Sequence, residues 1–382
     1  MDPEPNSVPA RPLPVVRAFI DALDHDVLHL LARRNALVAE IAQYKRERRV
    51  PIRDYARERD IIEDRCARSQ TLGLSPDLTE SLFRLILWGS RDRQAALRAE
   101  VPIDVEPKSV AVIGGRGNMG RCIARLFGDL GHAVMVADVD TQLTPEEAAA
   151  SADVVVVSVP IDATVDVIRR LGPLVRDDAL LMDVTSIKRA PVDAMLTASN
   201  ASVVGTHPLF APSVHSLQGQ RVVVCPGRGD AWLAWLQSAF RARGLVIKDA
   251  DPETHDRAMA VVQVLVHFST EVMGRTLADL GVDIGETLAF TSPVYLMELL
   301  MTARHFAQSP DLYAAIEMSN PAAADVAAAF VNAATRLETI IGGKDRDAFS
   351  ALFDDVRAHF GAFTEQALEQ SSFLIDRLVE RA

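Results

Sequence analysis

The sequence predicts a multidomain α and α/β protein: an all-α module, then a doubly wound α/β domain, then a second all-α region. Three observations carry this. From Val15 to Val50, 36 residues run without a single Gly or Pro. Between Val110 and Gly120 an apolar, β-branched run leads directly into a glycine-rich turn. Beyond Pro252 the strand signal disappears, and helix-forming stretches separated by turn signals take over.

Residues 1–14 hold five prolines and read as a disordered tail. The run that follows reads as one helix of about 50 Å. Ile20, Leu23, Val27, Leu31, Val38 and Ile41 step along one face at helical spacing. Arg34 stands inside that stripe between Leu31 and Val38, and Lys45 follows Ile41 by four residues. A cation in an apolar stripe is costly unless it is paired, reaches the rim or binds something. Arg34 and Lys45 are eleven residues apart. That is close to three turns, so they face the same way about 16 Å apart and can close on one small anion. Arg17 lies about 25 Å from Arg34 and is rotated roughly 100° around the axis. It cannot join the same small site from its own helix.

After Pro51, Asp54, Arg57 and Glu58 share one face of a second helix that runs to about Gln70. Gly73-Leu-Ser-Pro76 is a turn, and residues 77–98 read as a third helix with Ser90 and Gln94 one turn apart. The helical module therefore covers 15–98, and 99–108 reads as a linker.

The turn Gly115-x-Gly117-x-x-Gly120 follows a strand and opens a helix. Gly115 allows the tight turn, Gly117 lets the backbone approach a pyrophosphate, and Gly120 lets the helix pack closely on its strand. Asn118 and Met119 lie in the same turn and are candidate cofactor contacts. A second apolar run, Ala133–Ala137, ends at Asp138, eighteen residues past Gly120. A carboxylate there suits the ribose hydroxyls of NAD and repels the 2′-phosphate of NADP. The expectation is a Rossmann-type NAD-binding domain over 109–249. Further strands are expected at 153–160, 179–183, 202–205, 221–225 and 244–247. Residues 252–281, 283–307 and 320–382 read as helices of a domain spanning 250–382.

Composition narrows the function classes. With 52 acidic against 40 basic residues, the net charge of −12 argues against a nucleic-acid partner held through its phosphates. Cys66, Cys122 and Cys225 are far apart and show neither a disulfide framework nor a zinc motif, so no metal is expected. The N-terminus lacks a secretory apolar region, and no apolar run is long enough to span a membrane. A cytoplasmic protein is expected.

In order and motifs, the chain from Val16 onward resembles the bifunctional chorismate mutase/prephenate dehydrogenases of bacterial tyrosine biosynthesis. In the helical mutases of this kind, a three-helix chain dimerises through its long first helix, and each site borrows one arginine from the partner. The matching positions are Arg17 (the borrowed one), Arg34, Lys45, Asp54, Arg57, Glu58, Ser90 and Gln94. The resemblance implies that Arg17, Arg34 and Arg57 clamp carboxylates and that Lys45 and Gln94 hydrogen-bond the ether oxygen of chorismate. Asp54 and Glu58 would engage its hydroxyl side. The dehydrogenase half matches at the glycine turn and Asp138, at Ser158-Val-Pro160, at Thr185-Ser186-Ile-Lys188, and at Thr206-His207-Pro. It matches again at His255-Asp, His267-Phe, Ser292-Pro-Val-Tyr, Arg304 and Tyr313. By resemblance, His207 takes the C4 hydroxyl proton of prephenate, Ser186 helps orient that contact, and Arg304 binds a carboxylate. Ser158 and Pro160 border the NAD, while His255 and His267 line the substrate. A homodimer and tyrosine as feedback inhibitor are also implied. Tyr313 reads either as part of a tyrosine site or as an amphipathic core residue.

The chain departs from the family at Ala211, Ser213 and Val266. These border the expected substrate pocket and bear on affinity and inhibitor response more than on reaction type. Two rival functions remain at this point. One is a prephenate or arogenate dehydrogenase whose helical module serves only dimerisation or regulation; the full set of mutase residue types argues against it. The other is a non-enzymatic NAD-sensing protein, and Ser186, His207 and Arg304 together argue against that.

Overall fold

The computed structural model describes residues 11–48, 50, 52–97, 107–214 and 216–379. Most of the expected tail and linker lies outside these residues.

The N-terminal module is three helices: α1 (Leu13–Arg48), α2 (Tyr55–Thr71) and α3 (Pro76–Ala96). Asp54 caps α2 by accepting from the Arg57 amide at 3.0 Å, and Ser75 caps α3, where Pro76 supplies a preset φ. Only the C-terminal part of α1 is covered by its own chain: Val38 and Ala42 are buried, whereas Ile20, Leu23 and Val27 are 51%, 62% and 52% exposed. The apolar stripe read from the sequence is therefore largely unpartnered within one chain.

The α/β domain is built on a seven-stranded sheet ordered β2-β1-β3-β4-β5-β6-β7. Its strands are β1 (Ser109–Ile113), β2 (Ala133–Ala137), β3 (Val154–Val157), β4 (Leu180–Asp183), β5 (Ser202–Pro208), β6 (Arg221–Arg228) and β7 (Val246–Asp249). Interleaved with them are α4 (Asn118–Asp129), α5 (Pro145–Ser151), α6 (Ile161–Leu171), α7 (Arg189–Ala198) and α8 (Asp230–Ala242). Alternate strand residues face opposite layers. Ile113, Val155 and Leu181 join the core with Ile168 and Met195, while Val112, Val156 and Met182 join the core with Phe127 and Phe240. Most pairings are parallel, but β6 runs antiparallel to β5. A loop, not a helix, connects these two strands, so the chain returns directly instead of crossing over.

The remaining chain is helical: α9 (Pro252–Met259), a π-helical turn (Ala260–Leu265), α10 (Val266–Asp279), α11 (Ile284–Ala289), α12 (Pro293–Phe306), α13 (Pro310–Ser319), α14 (Ala323–Gly342), α15 (Arg346–Phe360) and α16 (Phe363–Val379). Two details differ from the sequence expectation. The stretch 283–307 is divided, because Ser292 caps a new helix at Pro293 and accepts from the Tyr295 amide at 3.2 Å. The stretch between Ala307 and Asn320, where the sequence reading assigned no helix, contains α13.

Candidate functional site

The parallel strands deliver their C-terminal ends to one edge of the sheet, which gathers the turns after β1, β3 and β4 together with the end of β5. After β1, a side chain at Gly114 would meet the Ser158 carbonyl at 2.3 Å, and Gly114 has φ +76°. One at Gly120 would meet the Gly114 oxygen at 2.4 Å, and one at Gly115 the Val112 oxygen at 2.8 Å. The turn is thus closed to any Cβ at these positions. Gly117 precedes the first residue of α4 and leaves the helix N-terminus open. Asp138 follows β2 and accepts from the Arg116 amide at 3.0 Å, which holds the acid beside the turn. Pro160 precedes α6, and the Ser158 amide donates to Ile113 at 2.8 Å. This is a cradle that fits a dinucleotide, with the acid at the ribose end.

His207, near the end of β5, is 3% exposed. Its Nδ1 lies 2.9 Å from Nε2 of His255, and Nδ1 of His255 lies 2.8 Å from Oδ1 of Asp256. The Asp256 carboxylate also accepts from the amides of Lys188 at 2.7 Å and Arg189 at 3.0 Å. Burial pushes the Asp256 carboxyl up, but these hydrogen bonds outweigh it and hold the group below its ordinary value. An ionised Asp256 fixes the rest of the relay. With its ring neutral, His255 donates through Nδ1 and accepts at Nε2 from Nδ1 of His207. The lone pair of His207 is left on Nε2. Burial, then His255, then Lys188 drive the His207 pKa well below its usual value, so the ring is neutral at pH 7. Gln263, on the π-helical turn, brings its amide nitrogen within 3.5 Å of that Nε2. The arrangement is a preset general base.

His255 does not stand where a substrate contact was expected. Both of its nitrogens are engaged and it is 1% exposed, so it sits behind His207 as a positioning residue. Beneath it lies a second buried polar unit. Lys188 is paired with Asp183, and its ammonium donates to the Thr206 carbonyl at 2.6 Å; both charged side chains are fully buried. Ser186 is half-buried in the turn between β4 and α7. Arg304, on α12, is exposed and lines a cavity with the α4 face and the Ala211–Ser213 loop. Cys225 is buried, its thiol pushed up to about 12, and is inert.

His267 packs edge-on against Tyr313, ring centroids 4.7 Å apart, with His305 3.9 Å from the same Tyr. His305 meets Glu271 at 3.0 Å, and His267 lies 3.8 Å from Glu317. Burial and the neighbouring Glu271 push the Glu317 carboxyl up to about 7. Tyr313, His305, Gln308 and the two glutamates form the polar wall of an otherwise apolar cavity of about 510 Å3.

In the helical module, Arg34 reaches Ser90 across the α1–α3 interface, and the Ser90 hydroxyl donates to Ile86 at 2.7 Å. Gln94 donates to the Ser90 carbonyl at 3.2 Å, and its buried Oε1 has no partner among the described residues. Lys45 is turned to the Ile52 carbonyl; burial lowers its pKa, and Asp54 and Glu58 oppose that. Arg34, Ser90 and Gln94 are thus linked across the α1–α3 interface, while Lys45 turns to the segment before α2. Glu58 is engaged by Arg91 and Arg53, so in this chain its carboxylate is already neutralised. Arg57 is exposed, and Arg17 is exposed on the uncovered part of α1.

Asp256 stood in the matched His255-Asp pair without an assigned role, and Gln263 and Gly114 were not singled out from the sequence. Gly114 had a signal, the Gly-Gly doublet; Gln263 had none.

Three family models match the chain: chorismate mutase type II over 16–95, the prephenate dehydrogenase nucleotide-binding domain over 129–248, and the prephenate dehydrogenase dimerization domain over 251–355. The T-protein of Enterobacter agglomerans is 34% identical over 365 residues, covering 95% of this chain and 97% of that protein. The T-protein of Haemophilus influenzae is 33% identical over 364 residues, covering 95% and 96%. A crystal structure of prephenate dehydrogenase from A. aeolicus in complex with hydroxyphenyl propionate and NAD+ superimposes with a TM-score of 0.53 at 19% identity. It covers 67% of this chain and 98% of that one, a likeness of fold.

Proposed function

We propose a division of labour among the residues above from one premise: the chain belongs to the T-protein family of bifunctional chorismate mutase/prephenate dehydrogenases. It rearranges chorismate to prephenate and oxidises prephenate with NAD+ to 4-hydroxyphenylpyruvate and CO2. The mutase occupies 15–98, the NAD-binding domain 109–249 and the C-terminal helical domain 250–382. The protein works in the cytoplasm as a homodimer.

The observation that carries the dehydrogenase roles is the relay Asp256–His255–His207, which leaves a neutral imidazole with its Nε2 on the side of Gln263. His207 accepts the C4 hydroxyl proton of prephenate as the C4 hydrogen departs with its electron pair and the C1 carboxylate leaves as CO2. NAD+ supplies the hydride acceptor, held by Gly114, Gly115, Gly117, Asn118, Met119 and Gly120, with Asp138 at the ribose and Ser158 and Pro160 alongside. Ser186 orients the hydroxyl. Arg304 binds a carboxylate through its guanidinium fork, and His267 faces the substrate from α10. Tyrosine, the product of the pathway, acts as feedback inhibitor through the cavity walled by Tyr313.

The mutase step is a unimolecular rearrangement and needs no nucleophile or proton shuttle. Its residues select a compact conformer and stabilise charge on the breaking ether oxygen. Arg34, Arg57 and the partner's contribution from position 17 hold the carboxylates. Lys45 and Gln94 hydrogen-bond the ether oxygen, Ser90 positions Arg34, and Asp54 and Glu58 bound the hydroxyl side.

Incubation with chorismate, with and without NAD+, tests the reading. Chorismate should disappear without cofactor, and NADH should form when NAD+ is added. Survival of chorismate while supplied prephenate yields NADH would reduce the helical module to a dimerisation or regulatory domain. The shared mutase site has its own test. Arg17→Ala and Lys45→Ala proteins should each be nearly inactive as mutases, and heterodimers formed by mixing them should regain activity, because one of the two composite sites is then intact. Verified heterodimers with no recovery would show that position 17 does not act across the dimer.

A further inference from the structure

Arg121 and Arg125 on α4, the loop residues Pro212 and Ser213, and Arg304 at the end of α12 face one cavity of about 510 Å3. Among the described residues, none that lines it is acidic. In a chain with 52 acidic and 40 basic residues, three guanidiniums around one acid-free space are a local reversal of charge. Arg121 is committed to the glycine turn: it donates to the Asn118 side chain at 2.7 Å and to the Arg116 carbonyl. Arg125 stands one helical turn further on. Among the described residues, neither Arg125 nor Arg304 has an ion-pair or hydrogen-bond partner for its guanidinium, whereas Arg243 close by is paired with Asp129 at 3.1 Å. Like charges around one space repel each other, and an anion between them relieves that repulsion; the acids nearest Arg125, Asp92 and Asp129, line the neighbouring cavity instead.

The substrate has the matching charge distribution. Prephenate carries two carboxylates, one on ring carbon C1 and one at the end of the side chain attached to that same carbon. The C4 hydroxyl lies at the opposite end of the ring. With the hydroxyl on His207, both carboxylates fall on the far side together. A bidentate pair with one carboxylate occupies the whole fork of Arg304, so the other needs a second cation. We propose that Arg125 binds the second carboxylate of the dehydrogenase substrate, making this a dicarboxylate site with Arg304. The assignment rests on the dehydrogenase reading above.

The test compares full-length wild type, Arg125→Gln and Arg125→Lys. Arg125 is exposed on α4, and mutase activity reports on folding independently. In Arg125→Gln the KM for prephenate should rise on the order of 10- to 100-fold, the loss expected for one charged hydrogen-bonded contact. The change in kcat should be much smaller, and Arg125→Lys should recover part of the loss. The KM should also depend less steeply on ionic strength than in wild type. Affinity for NAD+, read by fluorescence titration, should not change. An unchanged prephenate KM would overturn the proposal. So would weakened NAD+ binding with prephenate KM intact, which would assign Arg125 to the cofactor pyrophosphate. Calorimetric titration with malonate, a dicarboxylate probe, keeps the test independent of turnover: weaker binding in Arg125→Gln is expected, and equal binding rejects the site. Absence of NADH from wild type given prephenate would instead count against the dehydrogenase reading.

Discussion

Replacing His207 with Asn is expected to lower the dehydrogenase kcat by about 100- to 10,000-fold, the range a positioned general base contributes, with the mutase rate unchanged. The pH dependence makes the claim specific. The base must be neutral, and burial, reinforced by His255 and Lys188, depresses its pKa. The acid limb of the wild-type kcat/KM profile should therefore lie below the ordinary histidine value. The same shift has a stability consequence of defined sign. Between the depressed native value and the ordinary unfolded value, the unfolded chain binds the extra proton, so stability falls as pH drops through that window. His255 separates positioning from binding. His255→Leu removes the acceptor that fixes the His207 tautomer, and kcat should fall on the order of tenfold or more with prephenate KM little changed. A rise in KM with kcat intact would mean that His255 touches the substrate after all.

Local patterns with a fixed chemical meaning were the legible part of this chain. The glycine turn could be read because its close backbone contacts admit no Cβ, and Asp138 because it follows the second strand at the expected distance. Helical spacing put Arg34 and Lys45 on one face of α1 and Ser90 and Gln94 one turn apart on α3, whereas a site shared by all four was implied by the resemblance alone. Other features depended on tertiary placement. The antiparallel course of β6 goes with a connection that is a loop and not a crossover helix, which apolar runs do not distinguish. The π-helical turn that aims Gln263 at His207 has no sequence signature. Asp256 is legible as part of the His255-Asp match, but its role shows only when the N-terminus of α7, 67 residues earlier in the chain at Arg189, is found donating to it. His255 was legible as a functional position but not in its role, because nothing in the residue order shows that both of its nitrogens are occupied.

The second large effect concerns the buried pair Asp183–Lys188, which the sequence offered only as parts of a strand end and a motif. Both side chains are fully buried, and Asp183 accepts in addition from the Thr185 amide at 3.0 Å. Removing the acid alone strands an ammonium in the core, so Asp183→Ala should destabilise the dehydrogenase portion by about 3–5 kcal/mol. The double variant Asp183→Ala/Lys188→Met should recover much of that loss, because it leaves no uncompensated charge. The pH dependence again has a definite direction. Burial already lowers the Lys188 pKa, and Asp183 is the leading influence opposing it. Without Asp183 the value falls further, which widens the window below the unfolded lysine value in which the unfolded state holds more protons. Stability of Asp183→Ala should therefore rise with pH more steeply than that of wild type. Urea unfolding across that pH range measures both quantities, and equal losses in the single and double variants would contradict the argument. The pair also reaches the chemistry. The Lys188 ammonium holds the carbonyl of Thr206, directly before His207, while the Lys188 amide holds Asp256 at the other end of the relay. One residue thus fixes the base and the acid that sets its tautomer, so any Asp183→Ala protein that remains folded should lose dehydrogenase kcat and keep its mutase rate.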